Sequence, residues 1–141
     1  MNRLISVSLL CLSGLMPAHG GNVQDTRQIV DFPEPIKQAM LERMRRNLSD
    51  IHDIQRALAD NDFKRAAEVA EFSLGMSSLG PHNARQAPYM PPAMQHVGME
   101  MHRSSSRLAT VAQEQDLAKA VDGLARVTGL CVACHAVYRA K

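Results

Sequence analysis

Apolar residues recur every three or four positions along four separate stretches of this chain, and that period commits most of it to amphipathic helices. In the first stretch Ile36, Met40, Met44, Leu48, Ile51, Ile54 and Leu58 share one face. Pro35 stands in its opening turn, where a helix tolerates proline. Arg43, Arg45, Arg46, Asp50, Asp53 and Arg56 lie mostly off the stripe. Asp60-Asn61-Asp62 is a stop signal, and Asp62 can cap a second helix from Phe63 to about Leu74. The surface of that helix is small, with Ala66, Ala67, Val69, Ala70 and Leu74, and Gly75 ends it. Residues 76–92 hold Gly80-Pro81, Pro88, Pro91 and Pro92, so no period survives in this one long connection. A third helix starts near Pro92 and runs to about Gln115, with Met94, Val97, Met101, Leu108 and Val111 inward. Asp116 caps a fourth, which points Leu117, Val121, Leu124, Val127, Leu130 and Cys131 inward and continues to Arg139.

Four such helices predict an all-α fold, an antiparallel four-helix bundle over residues 34–141. Composition agrees. Aromatic residues are 4% of the chain, against 45% for all apolar types, which argues against a β-sandwich or barrel. Ala, Leu and Met fill the apolar quota instead, and these are helix formers. The 141 residues suffice for one domain, and the formal charge of +2 is too weak to call for nucleic acid as a partner.

The first twenty residues read as a secretory signal peptide. Arg3 begins it, the apolar run Leu4–Met16 follows, and Ala18 and Gly20 are the small residues before a cut after Gly20. The run is too short to span a bilayer, and no other apolar run is expected to cross one. The expected product is exported to the periplasm, with no stable membrane insertion after processing. Cleavage removes one of 16 cations and none of 14 anions, leaving 15 against 14, a formal charge of +1. It also removes Cys11, leaving Cys131 and Cys134. Residues 21–33 are polar and irregular, and read as a flexible N-terminal arm.

Cys131-Val132-Ala133-Cys134-His135 is the C-x-x-C-H pattern of covalent c-type haem attachment. Residues three apart share a helical face, so both thiols can add to the vinyl groups of one porphyrin. His135 follows at once and can place its imidazole on the iron as the proximal ligand. A zinc site would need further ligands at ligand spacing. A thioredoxin-like pair would need a preceding strand, and a disulfide within one helical turn is geometrically awkward.

From Cys131 to Arg139 the chain reads C-x-x-C-H-x-x-Tyr-Arg within a fourth helix. On that motif, the signal peptide, the four-helix pattern and the run Lys37-Gln38-Ala39, it resembles the cytochrome c-prime family, including its low-spin relatives with Met/His ligation. The resemblance implies a periplasmic monohaem protein with one covalent haem c that moves electrons or binds small gases. In the low-spin relatives a methionine on the first helix completes the coordination of iron. Met40 and Met44 are the two candidates here, one turn apart, and Met44 is preferred. Lys37 stands where the family has Arg.

Four further histidines, His52, His82, His96 and His102, read as surface or capping residues rather than ligands. His96, Met99 and His102 follow at three-residue steps with Met90, Met94 and Met101 nearby, so Cu(I) is an alternative use of that segment. The expected partners are redox proteins, with a homodimer left open. The expected activity is electron transfer without turnover chemistry, and the alternative is a high-spin haem module for NO or CO.

Overall fold

The computed structural model describes residues 24–141; the stretch read as a signal peptide and the first residues of the arm lie outside the described residues, as does the side chain of His82. The chain is mostly helical. Strand β1 (Gln28–Val30) precedes α1 (Glu34–Ala59), and α2 (Phe63–Val69) continues into one π-helical turn, Ala70–Leu74. After a 3-10 turn at Met76–Ser78 come α3 (Pro81–Gln86) and a second 3-10 turn, Ala87–Tyr89. The long helices α4 (Pro92–Ala112) and α5 (Leu117–Val137) follow, and β2 (Tyr138–Ala140) ends the fold.

The capping residues do what the sequence asks. Pro35 sits in the first turn of α1. The Asp62 side chain accepts from Arg65 N at 2.9 Å, and that of Asp116 from Lys119 N at 3.1 Å. Each aspartate follows a residue with positive φ, Asn61 at 56° and Gln115 at 57°. Both helical hairpins therefore turn by the same device, a left-handed residue and then an N-cap.

The largest helix contact is between α4 and α5; α1 packs on α2, and α2 packs on α4, while α1 and α5 touch little. The main core lies at one end, around Ile54, Leu58, Ala66, Ala70, Leu74, Leu108, Ala112, Leu124 and Val127. A second, smaller cluster of Val30, Phe32 and Met40 lies at the other end, with Ile36, Met90, Met94 and Tyr138 against it.

Several expectations are corrected. The arm is not irregular throughout, because Gln28, Ile29 and Val30 pair in parallel with Tyr138, Arg139 and Ala140. That pairing also stops the last helix at Val137, before Arg139. The connection 76–92 carries short helical turns. Leu48 is 69% exposed, and Leu117 and Val121 are exposed as well. Leu124 and Val127 face inward as expected, and Ala120 joins them where Leu117 and Val121 do not. Small residues win there because α4 approaches closely: a Cβ added at Gly123 would stand 3.1 Å from Leu108 Cδ1. On α4, Ser105 is fully buried, its Oγ donating to Met101 O at 3.0 Å within the helix, so the polar group costs little.

Helix α5 is long and apolar enough to cross a membrane by length and composition, against the expectation that no run outside the leader is. It also carries an Asp122–Arg126 ion pair at 3.0 Å and a Lys119–Glu114 pair at 2.7 Å, and charges within a span are costly in a bilayer.

Candidate haem-attachment site

The last turns of α5 place Cys131, Cys134 and His135 where a helical period puts them. Both cysteines are free thiols and half-buried. Cys131 Sγ donates to Val127 O at 3.6 Å, the carbonyl one turn back. Burial pushes both thiols above the usual cysteine range, and the neighbouring Cys131 adds to the effect on Cys134. Both are therefore held as thiols rather than thiolates at neutral pH. His135 is exposed, and its backbone carbonyl accepts from Arg27 Nη1 at 3.3 Å.

A cavity of about 330 Å³ opens beside them. Cys134 and His135 stand on its wall, and so do Met40 and Met44 from α1, with Met90 and Met94 closing it from the α4 side. Cys131 is not part of that wall. Met40 is 8% exposed and packs with Val30 and Phe32, whereas Met44 is 37% exposed. A second cavity of about 320 Å³ shares Met44, Gln86, Met90 and Gly98 with the first, so the two are contiguous. The second holds Asn83, whose Oδ1 is buried with no hydrogen-bond partner. Two larger clefts, about 540 and 650 Å³, lie elsewhere, and neither is walled by a Cys, His or Met.

The segment considered for copper divides. His96 is exposed, while His102 is buried with Nδ1 2.7 Å from Leu74 O. Burial lowers the pKa of His102, and the Leu74 carbonyl opposes that shift, so the ring is a neutral Nδ1–H donor. His52 is exposed, as expected of a surface histidine. Among the described residues no three His, Cys, Asp or Glu side chains gather as a metal group.

Sequence reasoning missed Arg27 on this wall. The sequence signal was slight, the strand formers Ile29, Val30 and Phe32; it is burial that alternates, with Val30 and Phe32 inside while Ile29 and Asp31 are exposed. Alternation of that kind marks a strand. No family model, no curated protein and no solved structure matches this chain.

Proposed function

We propose that the chain is an exported monohaem c-type cytochrome of periplasmic electron transfer, like the low-spin, Met/His-ligated relatives of the cytochrome c-prime family. In this reading its four long helical segments form an antiparallel bundle about the porphyrin. The observation that carries the proposal is the shared cavity wall on which Cys134 and His135 of α5 face the same space as Met40 and Met44 of α1.

The donor set fits haem c. Two thiols lie one helical turn apart, an imidazole follows the second, and the cavity wall adds the thioethers of Met40, Met44, Met90 and Met94 with the aliphatic Leu41. The two contiguous cavities, about 330 and 320 Å³, fall within the size range of cofactor sites. Cys131 and Cys134 are the covalent anchors, and His135 is the proximal ligand. Met44 is the distal ligand, because Met40 already serves as a core side chain while Met44 keeps its thioether accessible on the wall. Bound haem supplies an iron that cycles between ferric and ferrous, and a thioether ligand favours the ferrous form. The protein's part would be to anchor the group through Cys131 and Cys134, to offer His135 and Met44 to the iron, and to bring the side chains of Met40, Leu41, Met90 and Met94 against it. That is electron transfer, with no turnover of substrate and redox proteins as partners.

Absorption spectra of the exported protein with and without CO test the proposal. Sharp low-spin bands unaffected by CO are the expected result. A high-spin spectrum with ready CO binding would move the assignment to the gas-binding module and release Met44 from the iron.

A further inference from the structure

Arg27 and Arg139 come from opposite ends of the chain, and the parallel pairing of β1 with β2 brings them together. Both stand on the cavity wall beside Cys134 and His135, and that wall holds no carboxylate. Asp25 Oδ2 lies outside the wall, 2.8 Å from Arg27 Nη2 and 3.5 Å from Arg139 Nε. The hydrogen bonds from Arg27 hold the Asp25 carboxyl well below the usual carboxylate range. Arg27 Nη1 also donates to His135 O at 3.3 Å; a guanidinium carries five N–H donors, so these partners still leave most of the pair's donors free and a net positive charge at this rim.

We propose that Arg27, with Arg139, clamps a carboxylate of the prosthetic group at the rim of this cavity. The inference rests on the haem reading, since the anionic groups of a haem are its propionates, the same chemical class that Asp25 already presents to both arginines. Guanidinium and carboxylate match in planar geometry and in charge. The clamp also explains why an arm preceding α1 is tied to the residues just after His135. It makes the arm part of the haem site, with Arg27 a binding residue contributed from over a hundred positions away.

The test uses the full-length exported protein and reads intact mass together with the pH dependence of the reduction potential. Arg27→Gln should keep one covalent haem, because the thioethers hold it. Its potential should become pH-dependent at higher pH than in the wild type, by about 1 unit, as a propionate loses its cationic neighbour. Asp25→Asn should move that onset the other way, because it frees both guanidiniums for the propionate. His135 and Tyr138, the other titratable groups on the wall once Cys134 is a thioether, are present in both variants. Lys37→Gln removes a cation that is off this wall and paired with Glu34 at 2.6 Å, and should move nothing. Haem-loaded variants with the wild-type profile would overturn the clamp alone. A wild-type chain of unmodified mass would overturn the clamp together with the haem reading.

Discussion

Helices α1 and α5 run through both ends of this molecule and behave differently at each. At one end Ile54, Leu58, Leu124 and Val127 are buried against Leu74 and Leu108, with alanines filling the gaps. At the other end Met40 is the only buried residue of the first five turns of α1, and α5 buries nothing beyond Val127. Branched side chains and alanine dominate the first region, methionines and thiols the second. Branched side chains have few rotamers and specify a single packing, whereas Met adapts to an irregular partner. The contrast separates a tightly packed region from a more open one, and it can be broken experimentally.

The largest stability effect belongs to the packed end. Leu74→Ala removes a side chain that is 1% exposed and should cost about 2–5 kcal/mol in urea unfolding, while the visible spectrum of the haem protein stays unchanged. A loss below about 1 kcal/mol would deny that this end carries the stability.

The methionines sharpen the comparison within the other end. Met44→Ala should cost less than about 1 kcal/mol, since the side chain is 37% exposed, yet it should turn the haem high-spin and admit CO. Met40→Ala should cost about 2 kcal/mol and leave the spectrum low-spin. The reverse pattern transfers the iron to Met40.

His102 lies where α4 meets the π turn. Its pKa is held below the ordinary 6.5 by burial, so the unfolded chain takes up the proton first as pH falls. This contribution to stability is full above pH 6.5 and declines below it. Urea midpoints at pH 7.5 and 5.5 should therefore differ less in His102→Gln than in the wild type. An equal difference in both proteins would mean that His102 is not the group responsible.

The two glycines of α5 give the smallest effects. Nothing lies within 4 Å of a Cβ added at Gly129, so Gly129→Ala should stabilise by about 0.8 kcal/mol through helix propensity. Gly123→Ala gains the same propensity but presses on buried Leu108, and should be destabilising by about 1 kcal/mol in thermal or urea unfolding. Equal gains at both sites would show that α4 and α5 can separate at no cost.

The helix boundaries were legible because caps are local: Asp62, Asp116, Pro35 and the breaks near Asn61 and Gln115 act within one turn of chain. The facing of each helix was less so. Leu124 and Val127 were read correctly as core, but Leu117 and Val121 read as core by residue type alone, whereas the close approach of α4 at Gly123 selects Ala120, a choice made by a neighbour distant in sequence. Ser105 escaped notice and His102 read as a surface or capping residue for a similar reason, since Met101 O and Leu74 O satisfy the two buried side chains and only the fold reveals it. Of the candidate site, Cys131, Cys134, His135 and the two methionines could be named from spacing and resemblance. Arg27 could not, because its place depends on a strand pairing between the two ends of the chain.

The central claim is that Cys131 and Cys134 hold one haem covalently, and the intact mass of the exported protein under denaturing conditions tests it most directly. The predicted result is the mature chain plus one haem, with that added mass gone from a Cys131→Ala, Cys134→Ala double variant. A wild-type chain of unmodified mass, recovered from cells that attach haem to other exported proteins, would contradict it.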